Sequence, residues 1–381
     1  MLRDPGERLE GENILAELPG DLGLLLWRAA RDVTLWAGTP AESRRDLFSE
    51  GSANARLALL AATEIPSRVA ASVDTLSGML SPGSRAEGEI MSLCCLELAA
   101  WARGAGLSQT AVAFAQAGAL ASPEFAEAAL HVGAYARAAG QGARAESWLR
   151  RSVSLARRER DRGAYAGALA ELGTLYESRN DVVQAERFYR WAFRAGRRFS
   201  ARRARMRASH GLFRLARQRG DSASAAEFAL RAQAAYEPDT AGAPDLLLDL
   251  ARFWTDTGEP ARARAALRRL WPSLGSLPPA DQLAALALAA WASAGVATPR
   301  IRRGAEWAAW ELMGDLTIPD GVRFQAALDL AHAARQDGDL AAFTQARRAV
   351  LLLAPHAGFQ AVATEMAEIW PDSEHPVERA S

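Results

Sequence analysis

The sequence predicts an all-α fold, an α-solenoid built of stacked antiparallel helix hairpins. Three observations predict it. Alanine, leucine, arginine and glutamate, all good helix formers, dominate the 381 residues. We find no sustained alternation of apolar and polar residues that would indicate a strand. A helix–turn–helix pattern recurs along the chain, with a glycine or an asparagine in each turn.

The predicted hairpin turns share a residue that tolerates left-handed backbone, which ends a helix. They are Gly106-Leu107, Gly140-Gln141, Asn180-Asp181, Gly220-Asp221, Gly258-Glu259, Gly295 and Gly338-Asp339. A small residue follows most turns at the same offset, at Ala111, Ala145, Ala185, Ala225 and Ala263, so the intervals are 34, 40, 40 and 38 residues. Such regular spacing predicts hairpins that bury their apolar faces by stacking on one another.

The sequence also predicts boundaries along the chain. Residues 84–355 form the repeat array, preceded by a polar tail at 1–19 and by a helical segment at 20–83. A capping helix at 356–370 and a polar tail at 371–381 follow the array. The predicted helices of the 20–83 segment are Asp21–Ala37, Pro40–Phe48, Ala53–Ala62 and Pro66–Leu80. This segment is either a set of degenerate repeats or a separate module that caps the array.

One stretch of the array resembles a known repeat. The segment Tyr165–Arg197 carries the leucine-glycine pair, the aromatic residues and the small residues of that repeat at matching offsets, as Leu172, Gly173, Tyr176, Ala185, Tyr189 and Ala192. It is similar to the tetratricopeptide repeat (TPR), in a long-period variant of about 40 residues. The resemblance implies a right-handed superhelix in which the first helix of each hairpin lines a concave groove.

Composition excludes several enzyme classes. All 45 basic residues are arginine, so a Walker A lysine, a kinase lysine and a Schiff-base lysine are absent. The five histidines are far apart in sequence, and the only cysteines, Cys94 and Cys95, are adjacent. We expect these thiols to be small buried side chains, and we expect no enzyme activity, no cofactor and no metal site.

The net charge of zero conceals an uneven distribution. Between Ala143 and Arg219 there are 20 arginines and 7 acidic residues, an excess of 13 positive charges. Within this block five residues follow the spacing 4, 3, 4 and 3, which places them on one stripe of a helix. The arginine stripe consists of Arg203, Arg207, His210, Arg214 and Arg217.

The resemblance to the TPR gives this stripe a location. By similarity, four of its members, Arg207, His210, Arg214 and Arg217, occupy the groove-facing positions of a first helix. Flanking repeats offer Arg137, Glu177 and Arg252 at comparable positions. A guanidinium binds a carboxylate or a phosphate through two parallel hydrogen bonds. The alternative is internal pairing of these arginines with acidic residues of adjacent repeats, such as Glu171 and Glu177.

Two functions remain open on this sequence. The first is a cytoplasmic scaffold that binds an acidic or C-terminal peptide segment of a partner protein in the arginine-lined groove. The second is a bacterial TPR-containing regulator, transcriptional or signalling, that binds nucleic acid or an effector. We expect a protein or peptide partner in preference to nucleic acid, and no membrane association. The oligomeric state remains open.

Overall fold

The computed structural model describes residues 11–236, 243–295 and 299–357. Every regular element in these ranges is a helix, and none of their residues lies in a strand. The chain divides into two compact units, Met1–Tyr236 and Glu237–Ser381. In each unit consecutive helices pack as antiparallel pairs, so the predicted all-α solenoid of stacked hairpins is confirmed.

The helices of the first unit are α1 (Gly11–Glu17), α2 (Asp21–Gly38), α3 (Glu50–Ala62), α4 (Ser67–Met79), α5 (Gly88–Gly104), α6 (Ser108–Ala121), α7 (Ala126–Ala138), α8 (Gly142–Arg158), α9 (Arg162–Ser178), α10 (Val182–Arg198), α11 (Arg202–Gln218) and α12 (Ser222–Ala234), with a short 3₁₀ helix at Ala41–Asp46. Helices α5 to α12 form four hairpins, each packed on the next. The first helix α9 also contacts the first helices α7 and α11 directly. Side chains of these helices are therefore brought together across hairpins.

The second unit contains the helices α13 (Ala243–Asp256), α14 (Pro260–Leu270), α15 (Pro279–Ala292), α16 (Pro299–Met313), α17 (Asp320–Asp337) and α18 (Leu340–Ala357), with a 3₁₀ helix at Trp271–Ser276. They pair in chain order into three hairpins, and the first helix α15 contacts both α13 and α17. Most of the predicted capping helix at 356–370, and all of the tail at 371–381, lie outside the described residues.

The hairpin turns have the backbone that the sequence predicts. At the four turns of the first unit the backbone is left-handed, with φ from 58° at Asn180 to 78° at Gly106. Two further left-handed residues, Arg160 and Ser200, each with φ of 57°, separate one hairpin from the next. The sequence does not predict these two, because neither residue type favours this conformation.

The hairpins pack closely around one aromatic ring. Tyr189 of α10 is fully buried between Gly173 of α9 and Gly211 of α11. A Cβ atom would lie 2.5 Å from the ring at Gly173 and 2.2 Å from it at Gly211. Both glycines are therefore required by the close approach of the ring, and not by backbone conformation.

The N-terminal segment differs from the predicted polar tail. Residues Gly11–Glu17 form helix α1, whose Ile14 is fully buried. The Glu17 carboxylate accepts backbone hydrogen bonds of 2.8 Å from Gln109 and Thr110, in the first turn of α6. One apolar anchor and one carboxylate at a helix N-terminus thus hold a short polar segment in place.

The four predicted helices of residues 20–83 are all present, with one change of type. Residues Ala41–Asp46 form a 3₁₀ helix where the sequence predicts an α-helix at Pro40–Phe48. The boundary between the two compact units falls at residues 236 and 237, inside the range predicted as one array. Whether residues 20–83 are degenerate repeats stays a prediction.

Ion pairs recur between consecutive hairpins. Arg179, at the end of α9, donates to Glu146 of α8 over 2.6 Å. Arg219, at the end of α11, pairs with Glu186 of α10 at the same separation of 33 residues. Glu146 also accepts hydrogen bonds from Arg150 and from Tyr176. The repeat geometry therefore places the same type of pair at each of these two interfaces.

We expect the contribution of Glu146 to stability to vanish in acid. Hydrogen bonds from Arg179, then from Tyr176 and Arg150, lower the pKa of Glu146 from 4.5 to about 2 against an opposing effect of burial. A lowered pKa in the folded state stabilises the protein above the unfolded pKa, and this stability is lost as the pH falls towards 2. Thermal unfolding of Glu146→Gln and the unsubstituted protein should therefore differ at pH 6 and converge towards pH 2.5.

The control for this experiment is Glu227→Gln, which removes an exposed pair between Glu227 and Arg231 within α12. An exposed pair of this kind contributes little, so its effect should be small at both pH values. A difference in unfolding temperature for Glu146→Gln that stays constant from pH 6 to pH 2.5 would contradict the assignment.

Candidate functional site

The arginine stripe lies on α11, but its members differ in exposure. His210 is only 6% exposed. Arg207 and Arg214 are half-buried, while Arg203 and Arg217 are exposed. The stripe is therefore not a uniform basic surface, because its centre is packed within the protein and its ends are in water.

A buried carboxylate gathers arginines from neighbouring hairpins. The Glu171 side chain of α9 is 3% exposed. Arg137 of α7 donates from Nε to one of its oxygens over 3.0 Å, and Arg207 of α11 donates to the other. Arg103 of α5 acts on the same carboxylate electrostatically. We call these four residues the Glu171 cluster; it draws on the first helices of four consecutive hairpins.

The Glu171 cluster carries an excess of positive charge. Burial alone would raise the pKa of the Glu171 carboxyl, but Arg207, Arg137 and Arg103 outweigh it and hold the pKa below its ordinary value. Glu171 is therefore ionised at neutral pH. Three arginines face one carboxylate, which leaves the cluster with a net charge of two positive units.

A second carboxylate of α9 holds the next arginine of the stripe. Arg214 binds Glu177 through two parallel hydrogen bonds, of 2.8 Å from Nε and 2.6 Å from Nη2. The Tyr189 hydroxyl donates to the same carboxylate over 2.5 Å and lies 3.1 Å from the Thr174 hydroxyl. The Arg214–Glu177 pair holds α11 against α9. The two parallel N–H groups of Arg214 are therefore engaged by a residue of the protein itself.

Two other members of the stripe lie against an aromatic ring. The ring of His210 lies nearly parallel to that of Phe213, with centroids 6.3 Å apart, and the Arg217 guanidinium is 5.9 Å from the centre of the Phe213 ring. His210 thus fills space in the core.

Arg252, which the sequence grouped with the stripe, belongs to the second unit. Its guanidinium binds Asp329 of α17 through both carboxylate oxygens, and Asp329 is fully buried. Burial disfavours the charged guanidinium, but Asp329 outweighs it and raises the pKa of Arg252. The pair spans α13 and α17, which lie on either side of α15, and it is internal to that unit.

The structure brings together a part of the predicted set. Arg137 and Arg207 meet at Glu171, and Arg214 meets Glu177, which is the internal pairing that the sequence left open. Arg103 is a neighbour that the sequence reasoning missed. Its signal was available, because Arg103 precedes Arg137 by 34 residues, one repeat period.

The described ranges contain no group of three or more His, Cys, Asp or Glu side chains that could hold a metal ion. No helix of those ranges is long and apolar enough to cross a membrane. Cys94 and Cys95 are buried on α5 as expected, and burial raises the pKa of both thiols.

Comparison with known proteins gives distant likenesses. No protein-family model and no curated protein matches the chain. The chain is similar to BtubC (BKLC) from P. vanneervenii, with 15% identity and a TM-score of 0.38 over 73% of this chain and 95% of that chain. It is similar to the Rap conjugation gene regulator of the plasmid pLS20 in complex with the Phr* peptide, with 12% identity and a TM-score of 0.48 over 91% and 98%. A Rap protein complexed with Competence and Sporulation Factor shows 11% identity and a TM-score of 0.46 over 92% and 99%. Likenesses this distant carry no argument about function.

Proposed function

We propose that the chain is a protein-interaction scaffold that binds an acidic peptide segment, or the C-terminal carboxylate of a peptide, on the first helices of its first unit. The observation that carries this proposal is the Glu171 cluster, in which three arginines from the hairpins on either side of α9 surround one buried carboxylate. Two positive charges are left for an external anion. The scaffold acts by binding and not by catalysis, in the cytoplasm.

The proposed ligand would bind the guanidinium N–H groups of the Glu171 cluster that do not donate to Glu171. Arg137 reaches Glu171 through Nε and Arg207 through one terminal nitrogen. Neither guanidinium has another partner in the described part of the chain. Each charge-assisted bond to a ligand carboxylate would contribute roughly 1.5–3 kcal/mol.

Internal pairing and ligand binding are compatible at this cluster. Glu171 fixes the positions of Arg137 and Arg207, so little side-chain freedom is lost when an anion binds. Arg214 differs, since both of its forked bonds already go to Glu177. The proposed site is thus narrower than the arginine stripe and is centred on Arg103, Arg137 and Arg207.

We further propose that the array is a long-period variant of the tetratricopeptide repeat. The contact between Gly173 and Tyr189 supports it, because these residues occupy the glycine and aromatic positions of the repeat and pack against each other. The preceding hairpin repeats the contact with Gly133 and Leu149, where a Cβ on the glycine would lie 2.5 Å from the leucine side chain.

The test uses the full chain and fluorescence anisotropy with a labelled peptide of aspartate and glutamate that has a free C-terminus. The double variant Arg103→Gln/Arg137→Gln leaves Arg207 on Glu171, so the fold should be retained. Removing two charges should weaken binding by about tenfold or more. The matched control is Arg194→Gln/Arg197→Gln, which removes two exposed arginines of α10.

Equal affinities of the double variant and the control variant would contradict the proposed site. Binding that is lost equally in both variants would indicate attraction by overall charge alone. A triple alanine variant at Arg207, Arg214 and Arg217 is a poorer test, because it removes the arginine of Glu177 in addition to one of the two arginines that bind Glu171. Loss of binding would then be mixed with loss of stability.

A further inference from the structure

A second surface of the first unit lies on the opposite face of α9. A cleft of about 980 Å³ runs between the second helices α8 and α10, and α9 forms its floor. The floor residues Leu169, Leu172 and Tyr176 lie roughly 100–160° around α9 from Glu171, at about 100° per residue. The cleft is therefore separate from the Glu171 cluster.

The cleft combines an apolar floor with basic walls. Leu169, Leu172 and Phe188 lie at its base, where they are 2%, 1% and 7% exposed. Its charged lining consists of the arginines Arg150, Arg157, Arg158 and Arg187 and one acid, Asp181. Asp181 is the N-cap of α10 and accepts the backbone N–H of Gln184.

Two of these arginines have aromatic contacts in place of carboxylate partners. Arg150 pairs with Glu146, and Arg158 pairs with Glu124 and Glu159. In contrast, neither Arg157 nor Arg187 forms an ion pair with any residue that the structure describes.

Aromatic rings orient both of these unpaired guanidiniums. The Arg157 guanidinium lies 5.3 Å from the centre of the Tyr165 ring and donates to its hydroxyl over 3.3 Å. The Arg187 guanidinium lies 4.4 Å from the centre of the Trp191 ring. A guanidinium that stacks on a ring keeps its in-plane N–H groups directed outward, and these are the groups that bind carboxylates.

The aromatic side chains argue against a nucleic acid in this cleft. Proteins that bind single strands without sequence preference stack bases on exposed aromatic faces. Here Tyr176 stacks on Phe188 at 5.3 Å, Phe188 meets Trp191 edge to face at 5.4 Å, and Arg187 covers Trp191. The rings are engaged with each other and with arginine, and the rest of the floor consists of two leucines.

We propose that this cleft binds a peptide segment in which two acidic side chains flank an apolar one. The acids would bind Arg157 and Arg187, on opposite walls, and the apolar side chain would enter the floor between them. The volume lies at the upper end of the range of about 300–1,000 Å³ that is typical of ligand pockets. The protein would then have two recognition surfaces, one on each face of α9.

The test uses labelled peptides with amidated C-termini, in which two glutamates flank one leucine, and a matched peptide with glycine in place of the leucine. Fluorescence anisotropy with the full chain should show at least about tenfold weaker binding of the glycine peptide, because burial of the leucine is lost. Arg157→Gln/Arg187→Gln should weaken binding of the leucine peptide by about tenfold or more.

Two control variants separate this site from the proposed function. Arg194→Gln/Arg197→Gln removes the same charge from α10 outside the cleft and should leave binding of the leucine peptide within about twofold. In the background of Arg103→Gln/Arg137→Gln, the Arg157→Gln/Arg187→Gln substitutions should still weaken binding of the leucine peptide by about tenfold or more, whether or not the Glu171 cluster binds peptides.

Several results would overturn the proposal. They are the absence of measurable binding, equal binding of the leucine and glycine peptides, and equal losses in the cleft variant and the α10 control. A single-stranded oligothymidine that binds more tightly than the leucine peptide, and depends on Arg157 and Arg187, would assign the cleft to nucleic acid instead.

Discussion

Gly173→Ala is expected to destabilise the first unit by about 2–3 kcal/mol, within the range for overpacking a closed core. The new Cβ would lie 2.5 Å from the Tyr189 ring, which is fully buried and cannot turn away. Its hydroxyl is also held by Glu177 and Thr174. Gly211→Ala approaches the same ring from the other side, at 2.2 Å, and should cost at least as much. Urea unfolding followed by circular dichroism measures both.

The matched control is Gly163→Ala on the same helix. A Cβ at Gly163 would meet only the Asp161 side chain, at 3.5 Å, which is ordinary contact. This substitution should be neutral or stabilising by up to about 1 kcal/mol, because alanine favours the helix. Equal stability of Gly173→Ala and Gly163→Ala would show that the Tyr189 ring can move to accommodate a Cβ atom at position 173.

Glu171→Gln is expected to lower stability and to strengthen acidic-peptide binding at the same time. The substitution leaves Arg137 and Arg207 without their shared carboxylate, and we expect a loss of about 3 kcal/mol, at the low end for a broken buried pair. It also raises the net charge of the Glu171 cluster from two to three units. Attraction of an acidic peptide should then increase by about two- to fivefold.

Two measurements on Glu171→Gln distinguish its effect on stability from its effect on peptide binding. Urea unfolding reports the stability, and anisotropy with the aspartate–glutamate peptide reports the binding, at a temperature where the variant is folded. Glu227→Gln, which removes an exposed carboxylate from α12, serves as the control and should change stability by less than about 1 kcal/mol. Unchanged peptide binding by Glu171→Gln would show that the anion does not bind at the cluster.

The repeat period determines which contacts between first helices can be predicted from the sequence. Side chains of adjacent first helices that touch are separated by about one repeat, such as Arg137 and Glu171 at 34 residues and Glu171 and Arg207 at 36 residues. The pairing of Arg207 with Glu171 was therefore open to prediction once the register was known. Arg252 and Asp329 are 77 residues apart, which is two repeat periods, and their contact skips a hairpin, so a register between adjacent helices does not predict it.

Other features depend on packing between helices, which the sequence of a single helix does not predict. Hairpin turns follow from glycine and asparagine, whereas Arg160 and Ser200 adopt the same backbone between hairpins although neither residue type favours it. The sequence of helix α1 resembles a polar tail, because the burial of Ile14 is known only from the folded structure. The basic cleft is lined by residues of three helices, α8, α9 and α10, so no single stretch of sequence predicts it.

The Tyr189 ring has a consequence for how the array opens. In a linear array, unfolding spreads from one hairpin to the next according to the strength of the interface that joins them. This ring belongs to the hairpin of α9 and α10, yet it also fills the surface of α11 in the next hairpin. Neither hairpin can release it alone. The backbone amides of α9, α10 and α11 should therefore exchange their hydrogens in one cooperative event, and not hairpin by hairpin.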